Sequence, residues 1–224
     1  PHGNLHYLPF HALHDGERYL IESHAVSYLP AASLLRYCRE VQPTSDAALV
    51  VGDTYQGRLS HTLQEAQAVA SLWGAQLATG DQATLETIQR DAPRCRLVHL
   101  ASHGEFRTDN PLFSGLVFSD GARPSGRTLT TLDIFNLRLN ASLVTLSACV
   151  TGRSVIGGGD ELLGLLRAFL YAGTQSLLVS QWAVDDRSTA VLMEKFYRAL
   201  QSGATKGEAL RQAQRAFLSA AQQS

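Results

Sequence analysis

The sequence predicts an α/β protein of three layers, in which a mainly parallel central sheet carries helices on both faces. Two observations lead to this class. Short apolar segments of strand length alternate along the chain with longer segments whose apolar residues have helical spacing. The predicted strands are also apolar at nearly every position, which is typical of parallel strands buried on both faces. Since no linker interrupts this pattern, we expect residues 1–224 to form a single domain.

The first half of the chain begins with a preamble at residues 1–30, which is predicted to be an extended hairpin. Asp15-Gly16 lies there between two apolar segments, and an Asp-Gly pair in that setting is a strong hairpin signal. An alternation of strands and helices follows. The predicted strands are Ala47–Val51 and Gln76–Ala78, and the predicted helices are Ser60–Gly74 and Thr84–Ala92, with Thr84 as the N-cap of the second.

The second half of the chain repeats this alternation more strongly. One predicted helix, Glu161–Tyr171, is rich in leucine on every face, which favours a position inside the body of the domain. The other predicted elements are the strands Arg96–Ala101, Ser142–Ala148 and Gln175–Ser180 and the closing amphipathic helices Asp186–Leu200 and Lys206–Ala221.

The charge and hydropathy of the chain exclude two classes of protein. Its 19 basic and 20 acidic side chains leave a net charge of −1. The chain therefore lacks the excess of positive charge that is typical of a nucleic-acid binder. The most apolar stretch, Leu162–Val179, is interrupted by Arg167. It therefore does not contain the uninterrupted run of uncharged apolar residues that predicts a membrane span. We therefore expect neither nucleic acid nor membrane as a direct partner.

The cysteines and histidines show no pattern of a metal or disulfide site. Cys38, Cys95 and Cys149 are odd in number, widely spaced and without a CxxC pair, so neither a disulfide framework nor a zinc knot is predicted. No motif for a cofactor stands out, and residues 1–30 do not have the pattern of a secretory signal. A reducing cytoplasmic location is the expectation. Because the sequence begins without methionine, we expect a piece of a longer protein or a trimmed product.

Chemically active residues follow three of the predicted strands. In parallel sheets the ligand crevice lies at the carboxyl ends of the strands. His103 and Gly104 follow the first strand of the second half, and Cys149 follows the next. The loop at 181–186 follows the third strand and carries Trp182 and two aspartates. A histidine and a cysteine are therefore predicted to meet at one edge of the sheet.

This pair of side chains predicts nucleophilic chemistry on a carbonyl group. A cysteine thiolate is a strong nucleophile at neutral pH, and a nearby imidazole favours the thiolate and can protonate a leaving amine. The developing oxyanion needs donors. Gly104 lacks a Cβ, so its backbone N–H can approach a substrate oxygen, and the N–H of Cys149 is a second candidate donor.

Several segments resemble the CHAT domain, a family of caspase- and separase-like cysteine peptidases. The segments Leu97–Gly104 and Leu146–Gly152 look like its two catalytic segments. Further similar blocks, in the expected order, are His6–Phe10, Ser27–Pro30, Asn110–Leu116, Gly164–Gly173 and Ser180–Asp186. The resemblance covers essentially the whole chain.

The resemblance implies a caspase-like sandwich and a His103–Cys149 dyad, with the backbone amides of Gly104 and Cys149 as the oxyanion hole. It implies a cysteine endopeptidase that cleaves a peptide bond in a protein substrate and needs no cofactor or metal. CHAT domains usually follow arrays of helical repeats, so an upstream repeat region, or a partner, is expected to regulate the activity.

The substrate pocket is less well determined by the resemblance. Several related peptidases place an acid two residues before the nucleophile to bind basic side chains, but this position is Ser147 here. Ser147 is itself a candidate substrate-binding residue. Gln181, Trp182 and Asp185 are further candidates, because they follow the third strand. Purely structural roles are the alternatives: Trp182 would belong to the core, and Asp185 and Asp186 would begin a helix.

Two other functions remain open at this stage. The chain could be a catalytically latent or inactive caspase-like interaction module that keeps the dyad. It could also be an unrelated cysteine hydrolase for small molecules, which would need a closed apolar pocket. The peptidase interpretation instead requires an open edge near residues 181–184, where a substrate strand can pair.

Overall fold

The computed structural model describes residues 5, 8–54, 57, 59, 61–107, 109–120, 126–149, 160–182 and 184–221, with only the backbone described at 149, 160–162, 220 and 221. Over these ranges a central sheet, mixed but mostly parallel, has helices packed on both faces. The predicted three-layer α/β class is confirmed. None of the described helices has the length and apolar character needed to cross a membrane.

The described residues form seven strands in one sheet and eight α-helices. The strands are β1 (Ala48–Gly52), β2 (Gln76–Thr79), β3 (Leu97–Glu105), β4 (Gly115–Phe118), β5 (Arg127–Thr130), β6 (Leu143–Cys149) and β7 (Leu177–Val179). The helices are α1 (Leu20–Ser23), α2 (Leu34–Glu40), α3 (Thr62–Trp73), α4 (Leu85–Asp91), α5 (Thr131–Phe135), α6 (Asp160–Tyr171), α7 (Asp186–Gln201) and α8 (Lys206–Ala221). Short 3-10 helices lie at Phe10–Ala12, Gly80–Gln82, Ala92–Arg94 and Pro111–Phe113.

Five of the strands form a parallel sheet in the order β2-β1-β3-β6-β7. β4 and β5 extend the sheet as an antiparallel pair. β1 pairs with β3 as far as Ala101, and β4 pairs with β3 from His103 to Glu105. The hydroxyl of Ser102 also donates a hydrogen bond to the carbonyl of Val117 on β4.

The strand predicted at Arg96–Ala101 is therefore too short. It continues to Glu105 because β4 and β6 provide hydrogen-bonding partners on its two sides beyond the end of β1. His103 and Gly104 consequently lie inside the carboxyl end of β3 and not in a loop after it. This gives the histidine the rigid backbone of a strand.

Two hydrophobic clusters pack on the opposite faces of the sheet, because successive side chains on a strand point to opposite faces. Leu49 and Val51 of β1 join the cluster that α4 and α6 cover. Ala48 and Val50 join the cluster formed with α3, α7 and α8. All four side chains are buried, which explains the apolar sequence of the strand on both faces.

The helices begin and end at residues whose chemistry suits those positions. Thr84 caps α4 by accepting a hydrogen bond from the N–H of Thr87 at 3.2 Å, as predicted. Gly74 ends α3 in the left-handed conformation, with φ of 57°. The predicted helix at 206–221 agrees with α8 at both ends.

The preamble differs from the extended hairpin predicted for residues 1–30. Among the described residues of the preamble, the turn at Asp15 and Gly16 closes a single bridge, between His14 and Tyr19. A 3-10 helix precedes the bridge, and α1 follows it. Glu22 accepts a hydrogen bond from the N–H of Tyr19 at 2.6 Å, and this contact favours a helical turn over a second strand.

Candidate active site

The sheet brings the two predicted catalytic positions together. His103 on β3 and Cys149 at the end of β6 are register partners in adjacent parallel strands. Adjacent strands lie about 4.8 Å apart, so these two positions are immediate neighbours at the carboxyl edge of the sheet. The side chain of Cys149 lies outside the described atoms, so the predicted dyad is defined here by its backbone register.

The register of β3 and β6 follows from the apolar residues at their beginnings. Leu97 pairs with Leu143, and Val98 pairs with Val144, and each pair contributes its two side chains to one hydrophobic cluster. A shift of one residue would move these side chains to the opposite faces of the sheet. The core at the beginning of the two strands therefore sets which residues face each other at their ends.

His103 lies in a nearly closed environment, with 9% of its surface exposed. Alternation along β3 places it on the same face as Leu97 and His99, which is the face covered by α3 and α7. Any group that reacts with the imidazole must therefore approach from the carboxyl edge of the sheet.

Gly104 occupies a crowded position next to the histidine. A Cβ at this position would lie 3.1 Å from Cε2 of Phe106 and 3.5 Å from Cβ of Ala148. Packing against the Phe106 ring therefore favours glycine, in addition to any role of its N–H. An alanine here would require a small shift of the Phe106 ring.

A buried polar network that sequence analysis missed lies beneath His103. Nε2 of His99 lies 2.9 Å from Oε1 of Glu65, an ion-pair distance without the alignment of a hydrogen bond. Nδ1 of His99 lies 3.1 Å from the hydroxyl of Tyr197, which donates a hydrogen bond to Oγ1 of Thr145 at 2.7 Å. Burial raises the pKa of Tyr197, so this hydroxyl keeps its proton.

This network joins the elements that surround the site. Its four side chains come from β3, α3, α7 and β6, and all of them are buried. Buried polar groups cost free energy unless they are paired, so each side chain constrains the positions of the others. The one available sequence signal was a histidine in the middle of an otherwise apolar predicted strand.

The two aspartates after β7 form the amino end of α7. Asp185 accepts hydrogen bonds from the N–H of Ser188 at 3.0 Å and from its hydroxyl at 3.1 Å, and these bonds lower the pKa of Asp185. Asp186 accepts a hydrogen bond from the N–H of His61 at 2.8 Å. The first aspartate therefore caps α7, and the second fastens α7 to the amino end of α3.

The remaining predicted substrate-binding residues lie at different depths. Ser147 is a buried residue of β6, two positions before Cys149 and paired with Ala101. Gln181 is partly buried, whereas Trp182 is 46% exposed. The Trp182 ring stacks on His11 of the preamble, with 6.0 Å between the ring centroids and 14° between the planes. The structure thus brings Trp182 to the preamble, a contact that sequence analysis did not predict.

Cys38 and Cys95 have the properties of packing residues. Cys95 is buried and lies 3.3 Å from the carbonyl oxygen of Asp91, and Cys38 is partly buried. Burial raises the pKa of both thiols. A raised pKa lowers the thiolate fraction at neutral pH, so neither thiol is suited to nucleophilic catalysis.

Comparison with known proteins identifies one family over the whole chain. The family model described as CHAT domain matches residues 1–224. Two similar proteins are Tetratricopeptide repeat protein 28 of Mus musculus and its counterpart of the same name in Homo sapiens. Each is 27% identical to this chain over 274 aligned residues, which cover 96% of this chain. The chain matches only 11% of the length of either relative.

Proposed function

This chain belongs to the CHAT domain family, which has the caspase-like fold, and from this membership we propose that it is a cysteine endopeptidase that cleaves a peptide bond in a protein substrate. The observation that carries the proposal is the register pairing of His103 with Cys149 at the carboxyl edge of the sheet. A nucleophile and its acid–base partner must lie within reach of each other, and neighbouring strand ends meet this requirement.

In the proposed mechanism the Cys149 thiolate attacks the carbonyl carbon of the substrate peptide bond. The electron pair moves to the carbonyl oxygen, and the N–H groups of Gly104 and Cys149 stabilise the resulting oxyanion. Removing one such donor typically lowers the rate on the order of 10²–10³-fold. His103 donates a proton to the leaving amine, which leaves a thioester on Cys149. A water molecule then hydrolyses the thioester, and His103 accepts its proton.

The substrate would approach as an extended strand alongside residues 181–184. β7, which immediately precedes this segment, pairs with β6 alone among the described strands. An edge of this kind can accept a further strand through main-chain hydrogen bonds. Ser147, Gln181 and Trp182 are the proposed contacts of the substrate. Asp185 is the weakest candidate for a substrate contact, because its carboxylate caps α7.

Regulation by a helical-repeat region is also part of the proposal. The two similar proteins are named as tetratricopeptide repeat proteins, and this chain corresponds to a small part of their length. We propose that a repeat region acts on the same protein, in the cytoplasm, by arranging the loops around the site.

Labelling with a peptidyl acyloxymethyl ketone tests the nucleophile. We expect the reagent to modify Cys149, as located by mass spectrometry of the digested protein, and Cys149→Ala to abolish labelling. Cys95→Ala is the matched control and should leave labelling unchanged, because burial keeps that thiol protonated. Undiminished labelling of the Cys149→Ala protein would contradict the proposal.

A catalytically latent or inactive interaction module is the second candidate. The observation that favours it is the burial of His103, which has 9% of its surface exposed. A latent enzyme would show no labelling alone and would gain it when the repeat region is added. An inactive module would bind the peptide portion of the reagent reversibly and show no labelling in either state.

A further inference from the structure

An apolar pocket lies where the preamble meets α7 and α8. It has a volume of about 390 Å³, within the range of about 300–1,000 Å³ that is usual for ligand sites. Most of its lining is hydrophobic, and its large apolar members are Ile21, Val184, Leu192, Phe217 and Leu218. The pocket is thus assembled from three regions that are far apart in the sequence.

The pocket lies at the same edge of the sheet as the candidate site. β7 is the neighbour of β6, and the chain passes from the carboxyl end of β7 through residues 180–185 into α7. Val184 of this connection lines the pocket. His11, which stacks on Trp182 of the same connection, also lines the pocket. A strand that pairs alongside residues 181–184 would therefore lie next to the pocket.

Two hydroxyl groups of the pocket wall, those of Ser188 and Thr189, are already engaged within α7. The hydroxyl of Thr189 donates a hydrogen bond to the carbonyl oxygen of Asp185 at 2.8 Å, and the hydroxyl of Ser188 donates to the carboxylate of Asp185 at 3.1 Å. Both hydroxyls therefore serve the first turn of α7. Ser188 and Thr189 therefore present mainly their apolar atoms to the pocket.

The charge of the lining favours an uncharged ligand. The described residues that line the pocket include no aspartate, glutamate, lysine or arginine. Burial lowers the pKa of His11, so its imidazole is neutral at physiological pH. A charged group would lose its hydration here without gaining a partner of opposite charge from this wall.

We infer that this pocket binds a large apolar side chain, such as leucine, methionine or phenylalanine, of the peptide that pairs alongside residues 181–184. The inference rests on the proposed function and adds the substrate class to it. A leucine or phenylalanine that enters the pocket removes its apolar surface from water, which raises affinity on the order of 10-fold or more over alanine.

Binding of peptides to the Cys149→Ala protein tests this inference without turnover. The probes are fluorescein-labelled hexapeptides of alanine and glycine in which each position in turn carries leucine, phenylalanine, aspartate or lysine, and the readout is fluorescence anisotropy. At one position we expect leucine and phenylalanine to lower the Kd on the order of 10-fold or more relative to aspartate and lysine.

Two substitutions in the pocket should remove this preference. Gln214→Glu places a carboxylate in the pocket wall with almost no change in the shape of the side chain, which preserves folding. Ala12→Trp fills the pocket from the exposed preamble side. Ala31→Trp adds the same bulk at an exposed residue outside the lining and is the matched control. The first two should reduce leucine to the affinity of alanine, and the control should not.

The outcomes separate this inference from the proposed function. Equal affinities for leucine and aspartate at every position, no binding of any peptide, or a preference that survives both pocket substitutions would each overturn the inference. If the preference is found but Cys149 resists the peptidyl electrophile, the pocket stands and the peptidase fails. If Cys149 is labelled and no apolar preference exists, the peptidase stands and the pocket assignment fails.

Discussion

At the scale of single residues, Lys206 shows how one side chain can hold several elements in place. Its ammonium group donates hydrogen bonds to the carbonyl oxygen of Ser142 at 2.7 Å, to Oε1 of Gln175 at 2.6 Å and to the hydroxyl of Ser176 at 3.1 Å. These acceptors lie at the amino ends of β6 and β7, opposite the candidate site. All three are uncharged, and burial lowers the pKa of Lys206 to about 8.

We predict that Lys206 makes stability rise with pH between about 8 and the ordinary lysine pKa of 10.5. In this window the folded protein has lost the proton and the unfolded chain still holds it, so raising the pH favours folding. Below about pH 8 both states are protonated and the cost of burying the charge is present in full. The measurement is urea unfolding of wild type and Lys206→Met from pH 7 to 11.

The free energy of unfolding of wild type, relative to that of Lys206→Met, should increase across this window. Lys195→Met is the control for loss of one lysine charge, because Lys195 is exposed. A difference between wild type and Lys206→Met that stays constant with pH would refute the burial of the charge.

At the scale of elements, the junction after α6 depends on a glycine. Gly173 follows α6 with φ of 105°, a conformation that favours glycine. A Cβ at this position would also overlap the carbonyl oxygen of Leu139, part of the chain that leads into β6. The glycine therefore allows the end of α6 to pack closely against the connection before the strand that carries Cys149.

We predict that Gly173→Ala destabilises the fold far more than Gly203→Ala does. Gly203, between α7 and α8, has a similar φ of 94°, but open space surrounds the position of its Cβ. Its substitution should cost only the left-handed strain, about 1–2 kcal/mol. Gly173→Ala adds the overlap with the Leu139 carbonyl, so its melting temperature should be markedly lower. Equal melting temperatures for the two variants would contradict this account of the junction.

At the scale of the whole molecule, the two hydrophobic clusters share the same strands. Leu49 and Val50 are neighbours on β1, but the first packs under α4 and α6 and the second under α3 and α7. Loss of one cluster exposes one face of every central strand. The two layers of helices therefore depend on each other through the sheet.

We predict a single cooperative unfolding transition, as expected for one domain. In a Trp182→Phe protein the fluorescence reports on Trp73 alone, which packs against the cluster under α3. Ile88 is buried in the opposite cluster, and Ile88→Val should cost about 0.5–1.5 kcal/mol. This substitution should shift the urea midpoints of Trp73 fluorescence and of circular dichroism together. A fluorescence midpoint that does not move with Ile88→Val would show that the layers unfold separately.

Much of the fold was predictable because its signals are local. The buried strands and the closing helices were found from the spacing of their apolar residues, and α8 was predicted with its correct bounds. β4, β5 and α5 were missed, because these elements are only four or five residues long, and β4 and β5 form through pairing with other strands. In the preamble the turn of Asp15-Gly16 is present, but the chain after it forms the helical turn α1 in place of a second strand.

For the candidate site as well, features with a local signal were predicted and long-range contacts were not. Strand-end placement and family resemblance singled out His103 and Cys149, and the structure makes them register partners. Sequence analysis did not find the network of His99 or the fastening of Asp186 to the amino end of α3. Both depend on side chains that are distant in sequence, so no local pattern contains them.

By itself, the sequence determined that this protein is a three-layer α/β member of its family, and it placed His103 and Cys149 at the carboxyl ends of two central strands. Helix caps and apolar periodicity act between residues close together in the chain, so a reading of the sequence can recognise them. Only the tertiary structure decided that β6 lies next to β3, that Trp182 meets His11 and that a pocket opens beside them. These contacts join distant segments, and the packing of the whole core sets their positions.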